Sequence, residues 1–206
     1  MFAYCGNNPV IRVDPTGDVW LNILSALDTI YSVNNWVHSN YNKKLRVTGY
    51  IYNQNTGIAS QYWFGFFRSS HNGCGWIATY NALIMLGNPQ EPHKIISYYE
   101  KWGALVYGAA GILPTAVASY FKSRGYNVTV SANTSKFDKQ AKNNTANVLF
   151  YWHSNGAHNI AVRWNGKQFI GYNVYSNDSD SVNLGTSIAS FLSRNNYTGA
   201  MLTSIS

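Results

Sequence analysis

Acidic residues are scarce in this 206-residue chain: eight Asp and Glu stand against fifteen Lys and Arg, a formal net charge of +7. Charged residues make up only 11%, well below the roughly 25% of an average domain. Asn, Ser and Thr carry the polar surface instead, a composition that suits an exported protein at least as well as a cytosolic one. The positive balance therefore comes from missing acids, not from dense basic runs. Lys43-Lys44-Leu45-Arg46 is the densest cluster and is too short for a nucleic-acid groove, so no nucleic-acid partner is expected. Lys136, Lys139 and Lys142 fall at helical spacing and fit a solvated helix face. Cysteine is nearly absent: Cys5 and Cys74 are the whole complement. Two cysteines make no disulfide framework, and both are expected as free thiols. There is no C-x-x-C or H-E-x-x-H, and the five His are scattered, so neither a zinc site nor another cofactor is expected. Long apolar runs are missing too. Val19 to Val37 is interrupted by Asn22, Asp28, Asn34 and Asn35, which excludes a bilayer span. No charged segment precedes it, so no signal peptide is expected.

What is present is core-forming material. Hydrophobic residues reach 46% and aromatics 16%, enough for one packed globule with an extension. The first residues read differently from the rest. Tyr4-Cys5-Gly6-Asn7-Asn8-Pro9-Val10-Ile11-Arg12-Val13-Asp14-Pro15-Thr16-Gly17 alternates turn, short strand and turn, punctuated by Asn-Pro and Asp-Pro. This segment resembles the motif that closes the core domain of Rhs/YD-repeat proteins, large secreted bacterial shells that carry a variable C-terminal toxin just beyond it. The resemblance implies that the chain is the tail of a longer polypeptide delivered into a target cell. It also implies a parent Rhs shell upstream and a cognate immunity protein as partner. Asp14 matches the second aspartate of the family's self-cleavage machinery, which cuts near this motif; the release position near Asp14 to Trp20 stays open. Asp18 stands where the family has an apolar residue. Three regions follow: 1–18 as the end of the core motif, 19–57 as a joining region, and 58–206 as the toxin domain.

In the joining region, Trp20, Ile23, Leu24, Leu27, Ile30 and Tyr31 recur at near-helical spacing, predicting an amphipathic helix over Val19–Val37. Asn34–Asn42 is expected to turn, and Leu45–Tyr52 to form a strand. Beyond residue 58 the pattern predicts an α+β domain. Helices are expected over Cys74–Leu86, Pro92–Trp102, from Pro114 to about Arg124, and over Ser135–Lys142. Strands are expected over Tyr126–Val130, Ala146–Trp152, Asn159–Trp164 and Gln168–Tyr175. A helix over Thr186–Arg194 and a strand over Ala200–Ile205 close the chain. The fold class is α+β, with N-terminal helices packed on a C-terminal antiparallel sheet.

Cys74 carries the chemistry. It lies in Asn72-Gly73-Cys74-Gly75-Trp76 at the start of a helix, where unpaired N–H groups and the positive dipole end favour thiolate. Its pKa is expected below the free value of roughly 8.5. A thiol nucleophile needs a base, and the base needs an orienting group. His158 follows a flexible turn and opens a strand. Asn165-Gly166 signals a two-residue hairpin. Across such a turn Trp164 pairs with Lys167 and, counting back, His158 with Asn173, close enough for an amide to orient an imidazole.

Each residue has a plainer explanation: a Cys before a helix is usually a small buried residue, and a strand His often packs passively. The expected pairing is what joins them. His71 is a rival base by proximity, and His153 is expected to be structural. Trp76, Tyr80, Trp152 and Trp164 are core or cleft wall.

The order Cys74, His158, Asn173 resembles the papain-like cysteine peptidases, and the Asn-Gly-Cys-Gly signature is similar to the bacteriocin-processing branch. The resemblance implies a papain-like fold over about residues 58–206 and a Cys-His-Asn triad that cleaves a protein substrate through a thioester. The glutamine usually found some six residues before the Cys is replaced by Arg68. Asn72 or Gln61 is left as oxyanion donor beside the Cys74 N–H, with Asn72 preferred. Two alternatives stay open: a papain-like deamidase or acyltransferase, and a catalytically degenerate binding module, for which Arg68 speaks.

Overall fold

A computed structural model describes residues 18–174 and 179–206. The Rhs-like motif, Asp14 and Cys5 lie outside the described residues. The first element is α1 (Asp18–Asn42), one continuous helix that absorbs the expected turn over Asn34–Asn42. Its polar C-terminal half is helical because the side chains have partners on the domain. Asn42 Nδ2 donates to the Trp63 carbonyl and its Oδ1 accepts from the Trp63 N–H, both at 2.9 Å. Asn34 Nδ2 donates to the Gly65 carbonyl at 2.9 Å. No helix among the described residues is long and apolar enough to cross a membrane.

The expected strand over Leu45–Tyr52 does not form. Asn81 accepts from the Ile51 N–H at 2.9 Å and donates to the Ile51 carbonyl at 2.8 Å, so a side chain occupies the groups a ladder would need. A small hairpin, β1 (Trp63–Phe64) and β2 (Phe67–Arg68), leads into the short α2 (Ser69–Asn72) and then α3 (Cys74–Met85). From Gly75 to Leu83 every residue of α3 is buried. A helix apolar all round has to be central. Around it stand α4 (Pro92–Trp102) and α5 (Pro114–Lys122), each opening on proline, whose missing N–H costs nothing there.

The strands form one six-stranded antiparallel sheet in the order β3 (Val128–Ser131), β8 (Thr198–Ile205), β4 (Ala146–His153), β5 (Gly156–Trp164), β6 (Phe169–Tyr172), β7 (Val182–Gly185). Six successive residues of β4 are buried, which requires cover on both faces. Ala146, Val148 and Ile205 join the core built on α3, α4 and α5. Leu149, Tyr151, Ile160, Val162 and Leu202 join a second core with α6 (Phe137–Lys142) and α7 (Ile188–Arg194). The expected arrangement of N-terminal helices on a C-terminal sheet is present, and two later helices cover the far face.

The hairpin register differs from expectation. Trp164 pairs with Phe169 and Ala161 with Tyr172, so four residues form the loop. Asn165 causes this: its Oδ1 accepts from the N–H groups of Lys167 and Gln168, both at 2.9 Å. Such an Asx-type turn stabilises a longer loop than an Asn-Gly type I′ turn. The strand pairing expected between His158 and Asn173 is therefore absent.

Candidate functional site

Alternation along β5 decides what faces the thiol. Residues paired across β4 and β5 share a face: Phe150 with Asn159, Trp152 with Ala157, Tyr151 with His158. Ala157 and Asn159 thus look toward α3, and His158 looks with Ile160 and Val162 toward α6 and α7. Cys74 Sγ lies 3.7 Å from Asn159 Nδ2, a distance suited to a weak N–H···S bond. The His158 ring instead makes edge contacts with Tyr151 and His153 at centroid distances of 5.8 and 6.4 Å. The structure brings Cys74 and Asn159 together and leaves the imidazole on the other side of the sheet.

Cys74 is part-exposed at the floor of a cavity of about 350 Å³. Its walls are the loop between α4 and α5 (Leu105, Gly111, Ile112) and the sheet residues Phe150, Trp152 and Ala157. The loop presses hard on the helix start: a Cβ at Gly75 would fall 2.1 Å from Ile112 Cγ1. Glycine is required there by close approach. The lining is mostly apolar, which disfavours the thiolate. Burial pushes the Cys74 thiol up, and the Asn159 side chain and the N–H groups of Asn159, Gly75 and Cys74 only partly oppose it. The direction is opposite to the expected low pKa, because desolvation outweighs the helix terminus and no cationic ring stands beside the sulfur among the described residues.

His158 and Asn173 do meet, through different atoms. His158 Nε2 lies 2.6 Å from the Asn173 main-chain oxygen. A carbonyl only accepts, so this nitrogen carries the proton. The ring is buried and its pKa is held down at about 4, chiefly by desolvation. The Asn173 side chain belongs to another contact. Its Oδ1 accepts from the Gln54 N–H at 2.8 Å and its Nδ2 donates to Gln54 Oε1 at 3.2 Å. Asn173 sits just beyond β6 at φ 66°, a left-handed conformation that Asn tolerates.

Asn72 has no free donor for an oxyanion. Its Nδ2 donates to the carbonyls of Phe64 at 3.0 Å and Gly108 at 2.6 Å, while its buried Oδ1 has no hydrogen-bond partner among the described residues. Arg68 bonds the Gln61 carbonyl and lies over the Trp63 ring at 3.8 Å. His71 is exposed and packs on Phe67. Trp76 and Tyr80 are core, and Trp152 is cleft wall. Among the described residues no group of His, Cys, Asp or Glu is arranged to hold a metal.

Asn159 is the residue that sequence reasoning passed over. The signal was available: Ile160 and Val162 mark one face of β5, and His158 shares their parity.

No protein-family model matches the chain, and no curated protein matches it. Among solved structures it is similar to the peptidase domain of Streptococcus ComA, a bi-functional ABC transporter involved in a quorum-sensing pathway. That likeness has 12% identity and a TM-score of 0.43, and covers 64% of this chain and 90% of that one.

Proposed function

We propose that the Cys74 cleft is the working site of a papain-like toxin domain acting on a peptide or glutaminyl carbonyl. The observation that carries the reading is a single thiol at the first turn of the twelve-residue α3, opening into a mostly apolar cleft between the α4–α5 loop and the sheet. In this chemistry the thiolate attacks the carbonyl carbon, a thioester forms, and the amine leaves with a proton from the base. Water then releases the acid and restores the thiol. His158 is the base and Asn173 its orienter in this reading, as the resemblance implies. It requires the tip of β5 to present His158 where Asn159 now stands. Cys74 N–H is the oxyanion donor in this reading, with Gln61 still open as its companion, since Asn72 Nδ2 is engaged. Delivery into a target cell from an Rhs shell and neutralisation by an immunity protein belong to the same proposal and rest on residues 4–17.

A second reading is favoured by Asn159 at the sulfur and by the raised thiol pKa. It makes the domain a degenerate papain-like module that grips a polypeptide without cutting it. Mass spectrometry of a target-cell proteome treated with the protein separates the two. New peptide termini mark proteolysis, and gains of about one dalton on glutamine mark deamidation, since a thioester can arise from either bond. Either signal, lost in Cys74→Ala and His158→Ala, supports catalysis. An unaltered proteome with wild-type protein rejects it in favour of binding. Expression inside bacterial cells tests the toxin role: harmless wild-type protein in several hosts lacking any immunity gene counts against it.

A further inference from the structure

The larger cavity lies elsewhere, between α1, α4 and the first part of the α4–α5 loop, and encloses about 770 Å³. We infer that it is a binding site for an organic cation, an ammonium or guanidinium group. The lining includes two carboxyl groups, Asp28 and Glu100, and the amide of Asn35, beside Lys101 and three serines. Glu100 Oε1 accepts from the Gly65 N–H at 3.0 Å, and this is the only polar partner of the carboxyl among the described residues. Lys101, next in sequence, does not pair with it; its Nζ lies over the Trp102 ring at 5.0 Å. Asn35 Oδ1 is buried with no hydrogen-bond partner among the described residues. Asp28, on the same wall, accepts from the Tyr107 hydroxyl at 2.9 Å. The chain has only eight acidic residues, and two of them meet here, against its overall charge of +7.

The aromatic lining points the same way. Tyr31 and Tyr107 pack at 4.9 Å between centroids, and Trp36, 69% exposed, stands at the rim. Ring faces attract cations and give little to anions. Tyr107 is brought into place by an unusual backbone, Val106 and Tyr107 both being left-handed at φ 48° and 54°. A β-branched residue in that region is strained, and such strain gathers at ligand sites. An apolar ligand would leave Asn35 Oδ1 unpaired and give the Glu100 carboxyl nothing beyond the Gly65 N–H, which is costly. Burial holds Glu100 up at about 7, and a bound cation would bring it down. The titratable groups around it are Asp28 and Tyr31 from α1, Lys101 from α4 and Tyr107 from the loop.

The test is an NMR titration of the full chain, following the Gly65 amide. Argininamide should shift it saturably, and citrullinamide, its neutral isostere, should bind at least tenfold more weakly. Glu100→Gln keeps an acceptor for the Gly65 N–H and should lower argininamide affinity at least tenfold without lowering Tm at pH 7. Should that variant misfold, Asp28→Asn and Trp36→Ala, both at exposed positions, should each weaken binding several-fold. A blocked Gly-Arg-Gly peptide and spermidine identify the source: tighter peptide binding marks a protein side chain, and tighter spermidine binding a free polyamine. Equal binding of argininamide and citrullinamide overturns the inference. So does undiminished binding by Glu100→Gln, or no saturable shift with any cation up to about 10 mM.

Discussion

The face on which His158 lies can be read from a pH titration of stability. The ring is 1% exposed and its pKa is held down at about 4, against roughly 6.5 in an unfolded chain. The folded protein therefore binds fewer protons than the unfolded one between those values. The corresponding stability is complete above pH ~6.5 and disappears as pH falls toward about 4. A gap of about 2.5 units at 1.36 kcal/mol each makes it ~3 kcal/mol. Urea unfolding of wild type and His158→Gln from pH 4 to 8 isolates the effect, because glutamine does not titrate. The stability difference between them should rise by that amount between pH 4 and 7. The ring Cε1 proton, followed by NMR, should titrate near 4 in the same window. An imidazolium paired with a Cys74 thiolate would behave in the opposite sense: its pKa would be raised, and the stability difference would fall as pH rose. A His158 titration at pH 7 or above would refute the far-face placement.

The thiol gives a companion measurement. At pH 7 iodoacetamide should label Cys74 more slowly than free cysteine, because burial pushes its pKa up; faster labelling at pH 6 would contradict the apolar cleft. Glu100 should give a pH slope of the other sign. Its pKa is raised by burial from 4.5 to about 7, so its stability is present below about 4.5 and lost as pH rises to about 7. That amounts to ~3 kcal/mol, measured as wild type minus Glu100→Gln across that range. Asn173→Ala should cost ~2–4 kcal/mol in thermal unfolding, from two lost contacts to Gln54 and a left-handed backbone. Asn173→Gly should recover about 1 kcal/mol of this; equal losses would remove the backbone contribution.

Helices announced themselves well. Pro92–Trp102 has the expected boundaries, with Pro at its start, and α3 begins at the predicted Cys74. Such signals are local, and local physics sets them. The failures came where a distant side chain took over the backbone. Asn81 holds Ile51 and abolishes a strand, and Asn42 holds Trp63 and extends a helix. Neither partner is near in sequence, so no window could reveal it. The site was legible in composition but not in orientation. Cys74 meets Asn159, whereas His158 meets the Asn173 main-chain oxygen on the other face of the sheet. Which of two adjacent residues faces the sulfur depends on strand parity, which the core residues Ile160 and Val162 set. Asn165 had a similar hidden influence, closing a loop longer than its dipeptide suggests.

Parity makes the cleft sensitive to chain length rather than to residue identity. The C-terminal half of β5 is anchored by Ile160 and Val162 in the far-face core and by its pairing with β6. Loss of one residue, Asn159, would leave that anchor in place and draw the preceding residues forward by one step. His158 would then enter the position opposite Cys74, and Ala157 would enter the buried position beside Tyr151. A single-codon gap would thus swap an amide for an imidazole at the sulfur, with no substitution anywhere in the domain. Related chains that differ here by one insertion or deletion would differ in chemistry while keeping the same residues, and aligning them by residue type alone would conceal the change.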